Sequence, residues 1–219
     1  MTSVVVLDYG SGNVRSACRA LEHVGAQVTL SCEAKAIEKA EGLVVPGVGS
    51  FKAVMRQLQD VDAPRIIDQR LAGGKAVLGI CVGHQVLFSE GVEHIGAGKK
   101  VEGLAQWPGI VERLEAPVVP HTGWSPVRPP KGSRLFEGVE DQRFYFVHSY
   151  GVTRDPFVSM QDSSPLRAPQ VAWAHHGQDF VAAVENGPLS STQFHPEKSG
   201  EAGLRLLKNW INLCSTQGQ

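Results

Sequence analysis

Residues 76–88 read Ala76-Val77-Leu78-Gly79-Ile80-Cys81-Val82-Gly83-His84-Gln85-Val86-Leu87-Phe88. Ala76 to Ile80 is an apolar run of strand length, and Val86-Leu87-Phe88 continues at helical spacing. The segment therefore predicts a strand-to-helix elbow with Cys81 at its apex. A nucleophile with a glycine two residues away on either side is the cysteine counterpart of the G-x-S-x-G elbow. The glycines answer to a tight turn, since a side chain at Gly79 or Gly83 would strike the approaching helix or strand. At a helix N-terminus, unpaired N–H groups and the helix dipole favour a thiolate over a thiol.

A second segment, Gln193-Phe194-His195-Pro196-Glu197-Lys198, supplies the groups that such a nucleophile needs. On an extended segment, residues two apart point to one side, so His195 and Glu197 are expected to face Cys81 together. Pro196 fixes the backbone between them and disfavours a helix there. His195 takes the thiol proton and returns it to a leaving amine, while Glu197 sets the tautomer and stabilises the imidazolium. Taken singly, a cysteine after a strand is a small core residue and His-Pro-Glu is a loop. Their joint occurrence in this context is what gives the reading its weight.

Outward from the elbow, the first half of the chain alternates strands and helices. Strands are expected at Ser3–Leu7, Gln27–Leu30, Gly42–Val45 and Ala76–Ile80. Val14, Ala17, Cys18, Leu21 and Val24 mark one face of a helix after the first strand. Buried strands separated by helices imply an α/β fold with an open, mostly parallel sheet flanked by helices. From Gly103 onward additional strands are denser, at Gly109–Leu114, Phe144–His148, Val171–His175, Phe180–Glu185 and Ser191–Phe194. Glu201–Leu213 closes the chain as an amphipathic helix. Pro117–Pro130 is too short for a domain linker and reads as a shaped surface loop. No internal repeat is present, and 219 residues allow one large domain or two small ones; the expectation is a single domain over residues 1–219.

Active groups of open parallel sheets gather at the carboxyl ends of strands. That rule sets Cys81 beside the loop Pro46-Gly47-Val48-Gly49 after the third strand. The elbow needs an oxyanion donor besides the N–H of Val82, and the Val48 N–H is the candidate. Glycines on both sides of Val48 would let the Gly47–Val48 peptide rotate cheaply, from carbonyl-inward to N–H-inward. Tyr9-Gly10-Ser11-Gly12-Asn13 is a weak dinucleotide signal, because Arg15 stands where the fingerprint wants a third glycine.

Composition excludes several classes. The chain has 219 residues and a formal net charge of −1, which gives no electrostatic reason to expect nucleic acid. A chain this long buries roughly 70% of its unfolded surface and needs no disulfide staples. Cys18, Cys32, Cys81 and Cys214 are scattered, with no C-x-x-C pair for zinc or redox work. His175-His176 are adjacent, so on a strand they face opposite ways and suggest no metal. No cofactor is expected. Neither a signal peptide nor a membrane-spanning run is evident, and reduced thiols suit a cytoplasmic protein.

Together these motifs resemble those of the class I (triad-type) glutamine amidotransferases, over about Val4 to Trp210. More narrowly the chain is similar to the glutaminase subunits of imidazole glycerol phosphate synthase. The narrower likeness is carried by Asp8-Tyr9-Gly10-Ser11-Gly12-Asn13, Pro46-Gly47-Val48-Gly49, Pro120-His121-Thr122-Gly123-Trp124, Tyr145-Phe146-Val147-His148-Ser149-Tyr150 and Lys198-Ser199-Gly200. Two positions depart from the pattern. His84 stands where these subunits more often have Met, giving a Gly-His-Gln elbow similar to that of anthranilate or GMP synthase glutaminases, and Ser125 stands where Asn is usual.

The resemblance implies that Cys81, His195 and Glu197 hydrolyse glutamine through a glutamyl thioester to glutamate and ammonia. It implies that Gly49, Gln85, Ser149 and Tyr150 hold the substrate amino acid. It also implies a separate cyclase subunit, a (β/α)8 barrel, as partner in a heterodimer. That subunit uses the ammonia to make imidazole glycerol phosphate and an aminoimidazole carboxamide ribotide in histidine biosynthesis. Asn13 and Lys198 map to the subunit junction, and Trp124 in its Pro-bounded loop is a candidate interface anchor. His121 and His148 receive no chemical role. The competing readings are a glutaminase serving anthranilate, aminodeoxychorismate or GMP synthesis, a standalone cysteine hydrolase, and a non-catalytic binding protein on the same fold.

Overall fold

A computed structural model of the chain describes residues 1–10, 13–93, 99–158 and 169–216. Ser11 and Gly12 of the weak Gly-rich signal lie outside the described residues. In chain order the elements begin with β1 (Ser3–Leu7), α1 (Val14–His23), β2 (Gln27–Ser31), α2 (Ala34–Lys39), β3 (Gly42–Gly47), α3 (Phe51–Asp60), α4 (Ala63–Ala72), β4 (Ala76–Cys81) and α5 (Val82–Gln85). Short strands β5 (Phe88–Gly91), β6 (Val101–Glu102), β7 (Trp107–Arg113), β8 (His121–Pro126), β9 (Arg143–His148) and β10 (Tyr150–Gly151) follow. The chain continues with β11 (Gln170–His176), β12 (Gln178–Asn186), β13 (Leu189–Thr192), a 3-10 turn at Pro196–Lys198, and α6 (Gly200–Thr216).

The main sheet has seven strands in the order β11-β12-β13-β4-β3-β1-β2. Pairing is parallel from β2 through β13, whereas β12 and β11 run antiparallel to their neighbours. Every residue of β3 and β4 is buried, as expected of central strands covered on both faces. Among the helices, α1 packs with α6, while α2 and α3 each pack with α4, the grouping that right-handed crossovers in this strand order require. A second sheet runs β10-β7-β5-β6, and β8 pairs with β9 alone.

Three expectations change. Val86–Phe88 does not extend the elbow helix: α5 is a single turn ending at Gln85, and the chain enters β5 at Phe88. The reason is tertiary, because the Trp107 N–H donates to the Leu87 carbonyl at 3.2 Å and draws this apolar run into the second sheet. Pro117–Pro130 is not loop throughout, since it contains β8, whose residues pair from His121↔His148 to Pro126↔Arg143. The strand expected at Ser191–Phe194 stops at Thr192, and Phe194 instead packs into an aromatic cluster. Its ring lies 4.4 Å from Phe144 and 5.5 Å from Phe146 between centroids. Phe144, Phe146 and Phe194 are fully buried, which is typically worth about 1.5–3 kcal/mol per side chain. This cluster fixes the segment leading to His195 against β9.

Candidate functional site

The elbow forms at the carboxyl end of β4. Cys81 adopts φ 56°, ψ −111°, a region that costs a non-glycine residue on the order of 1–3 kcal/mol and is stored at functional sites. The flanking glycines are required by contact. A Cβ on Gly83 would lie 1.9 Å from the Val45 carbonyl oxygen, and one on Gly79 would lie 2.5 Å from that of Gly83. Gly47 is also held by close approach, because a Cβ there would lie 2.4 Å from the Gly83 nitrogen. Pro46 and Gly47 belong to β3, opposite Ile80 and Cys81, rather than to the loop after it. Since α5 has only four residues, few peptide dipoles align behind Cys81. The helix-dipole contribution shrinks to the local N–H groups, leaving His195 as the main electrostatic partner.

His195 is extended, as a residue before proline should be. Pro196, Glu197 and Lys198 then form a 3-10 turn rather than the expected extended segment. Proline's fixed φ is compatible with the first position of a helical turn, so Pro196 starts the turn instead of preventing it. The turn sets Glu197 behind His195, with Nδ1 2.8 Å from Glu197 Oε1 and both side chains nearly inaccessible to water. Glu197 thus meets the imidazole and not Cys81. Burial acts against the charged imidazole. Hydrogen bonds to Cys81 and Glu197, with the charges of both, outweigh it and raise His195 to about 10. The backbone of the turn is held as firmly: His195 N–H donates to the Tyr145 carbonyl at 2.9 Å. Buried Ser199 accepts from the Tyr145 N–H at 2.9 Å and donates to the His195 carbonyl at 2.6 Å.

A cleft of about 240 Å³ opens over Cys81. Of the residues expected at the site, Val48, Gly49, Cys81, Val82, Gln85, Ser149, Tyr150, His195 and Lys198 line it. Gly49 has φ +95°, a conformation that an L side chain rarely adopts. Gln85 Nε2 donates to the Tyr150 carbonyl at 2.8 Å and to Gln193 Oε1 at 3.0 Å. Glu93, Val147 and His148 also line the cleft, and Gln193 Nε2 lies 3.9 Å from Cys81 Sγ. Reading the sequence missed these four. Gln193 and His148 lie inside quoted motifs, but no local pattern marks Glu93, which caps α3 by accepting from the Phe51 N–H at 2.7 Å.

The three junction candidates sit at different distances from Cys81, His195 and Glu197. Lys198 is exposed at the cleft. Trp124 is 50% exposed, its ring edge-on to Tyr145 at 6.0 Å, so it is not packed beneath its own loop. Asn13 caps α1 without a side-chain bond to the backbone, and its Oδ1 accepts from Ser16 Oγ at 3.1 Å. Neither Trp124 nor Asn13 lines the cleft. His84 is fully buried behind the elbow with Nδ1 2.7 Å from Ser191 Oγ, and burial lowers it to about 3. His175 and His176 do face opposite ways: His175 pairs with exposed Asp179, and His176 stacks on His121.

No helix among the described residues is long and apolar enough to cross a membrane. Residues 5–213 match the family "glutamine amidotransferase class-I". The imidazole glycerol phosphate synthase subunit HisH of Renibacterium salmoninarum is 58% identical over 219 residues, covering 100% of this chain and 98% of that protein. The HisH subunit of Thermobifida fusca is 58% identical over 210 residues, covering 95% and 97%. A glutamine amidotransferase crystal structure superposes with TM-score 0.71 at 19% identity, covering 96% of this chain and 98% of that one. The PurLQS structure from Thermotoga maritima gives 0.66 at 18%, covering 96% and 98%. These two likenesses concern the fold, whereas the full-length relatives concern the family. The chain belongs to the class-I glutamine amidotransferases and, within them, to the family of HisH subunits of imidazole glycerol phosphate synthase.

Proposed function

We propose that this enzyme hydrolyses glutamine through Cys81, His195 and Glu197 and passes the ammonia to a cyclase partner. The observation that carries the reading is the buried Glu197–His195 pair, 2.8 Å apart, whose imidazole lines one cleft with Cys81 and is raised by Cys81 and Glu197 together. The Cys81 sulfur, its proton passed to His195, attacks the carboxamide carbon, and the oxygen takes up negative charge facing the Val82 and Val48 N–H groups. The C–N bond then breaks as His195 gives its proton to the departing nitrogen, releasing ammonia and leaving a glutamyl thioester. Water, deprotonated by His195, adds to the thioester. The C–S bond breaks, glutamate leaves and the proton returns to the Cys81 sulfur.

Gln85, Gly49, Ser149 and Tyr150 hold the amino acid in this reading. The partner is a (β/α)8-barrel cyclase subunit of imidazole glycerol phosphate synthase, which converts the ammonia and a phosphoribosyl-formimino substrate. Support comes from full-length relatives named as HisH subunits. A Cys81→Ala variant tests the division of labour. It should lose glutamine-dependent synthesis entirely in the complex while synthesis from ammonium salts continues at the wild-type rate. Glutamine turnover retained in that variant would refute the triad assignment.

A further inference from the structure

Two buried histidines beside the cleft are joined to Gln85 by an unbroken run of hydrogen bonds. His148 ends β9, with Nδ1 2.9 Å from the Tyr150 carbonyl oxygen. Its Nε2 lies 3.1 Å from Nδ1 of His121. At the far side of His121, Nε2 lies 2.8 Å from Ser125 Oγ. A carbonyl only accepts, so His148 carries its proton on Nδ1 and offers a lone pair at Nε2. That lone pair requires N–H at Nδ1 of His121, which leaves Nε2 of His121 to accept from the Ser125 hydroxyl. Each tautomer is thus set by its neighbour. Both rings are neutral near pH 7, since burial lowers His148 to about 3 and His121 to about 4.

The run ends on the acceptor that orients Gln85. The Tyr150 carbonyl receives His148 Nδ1–H and Gln85 Nε2–H together, and the same Gln85 nitrogen donates to Gln193. The nitrogen end of the Gln85 amide is therefore engaged away from substrate, leaving its oxygen as the remaining polar atom. Packing alone would not select histidine at position 121. That ring is stacked between Phe146 at 4.8 Å and His176 at 4.3 Å, where phenylalanine would stack without burying two polar nitrogens. What histidine adds is the pair of hydrogen bonds.

We propose that His121 and His148 are positioning residues, which hold the Tyr150 carbonyl so that Gln85 presents its amide oxygen to the bound amino acid. The proposal rests on the reading of Gln85 as part of the glutamine site. It is tested on the full chain saturated with its cyclase partner, by glutamine hydrolysis of His121→Phe and His121→Asn, with Gln85→Ala alongside. Phenylalanine keeps the stacking and loses the donor, whereas the Asn amide can reproduce the Nδ1 donor and loses the ring. His121→Phe should raise KM for glutamine roughly 3- to 10-fold, the scale of one net hydrogen bond, with kcat within about twofold. His121→Asn should restore KM toward wild type. Nitrogen-15 NMR of the wild-type chain near neutral pH should find both rings in the Nδ1–H tautomer. That measurement needs no variant and decides the matter if neither variant folds. Either ring in the Nε2–H form overturns the proposal, as does a wild-type KM in His121→Phe when Gln85→Ala has raised it. An unchanged KM in Gln85→Ala overturns the reading of the site itself.

Discussion

Val48 is the residue on which the proposed chemistry and its control meet. It is 39% exposed at the lip of the cleft, between Gly47 in β3 and Gly49 at φ +95°. The two glycines serve different ends. Gly49 permits a backbone that other residues resist, while Gly47 makes room for α5, so conformational ease at position 47 is not its only cause. We expect Val48→Pro, which removes one N–H and leaves the triad and Gln85 in place, to lower partner-stimulated hydrolysis by about 10²-fold. Glutamine binding should change little. Steady-state kinetics of the complex measures both, and full stimulated activity in this variant would mean that the Val48 peptide is neither oxyanion donor nor switch.

At the scale of elements, the decisive contact is between α6 and the 3-10 turn that holds Glu197 and follows His195. A Cβ on Gly203, in the first turn of α6, would lie 1.9 Å from the Pro196 carbonyl oxygen and 2.8 Å from Ser199 Cβ. Helix propensity alone predicts that Gly203→Ala stabilises the chain by about 0.5–1 kcal/mol. The clash predicts the reverse, a loss of roughly 1–3 kcal/mol as the turn is forced off α6. The steric term is the larger, so denaturant unfolding should show net destabilisation. Glutamine hydrolysis should fall about tenfold or more because His195 and Glu197 move with the turn, while ammonia-dependent synthesis by the complex persists. A more stable and fully active Gly203→Ala would show that this packing does not set the triad.

Across the whole molecule, the cleft opens onto a surface bearing partly exposed Val48 and Val147, with exposed Lys198 at its edge. Trp124, half exposed on β8, packs edge-on to Tyr145, whose backbone is tied to the triad turn. An anchor here would join partner binding to the strand that braces His195. Truncating such an aromatic anchor commonly costs about 2 kcal/mol or more. Trp124→Ala should therefore weaken association with the cyclase about 30-fold by calorimetry, or raise the ratio of glutamate to cyclised product. Wild-type values for both would remove Trp124 from the interface.

The sequence by itself determined what is local or periodic. The buried strands Ser3–Leu7, Gly42–Val45 and Ala76–Ile80, the elbow around Cys81 and the extended residue before Pro196 all follow from short-range sterics and burial. Within its motifs, nine of the residues that line the cleft are singled out as site residues. Tertiary structure decided the rest, because the competing local forms differ by little and long-range bonds choose between them. Val86–Phe88 has the pattern of either helix or strand, and bonding to Trp107 makes it leave the helix. His121–Pro126 looks like loop until Arg143–His148 pairs with it. Pro196 tolerates a turn as well as an extended chain, and packing of α6 and Ser199 selects the turn. Glu93 reaches the cleft through contacts far apart in sequence, which no window along the chain contains.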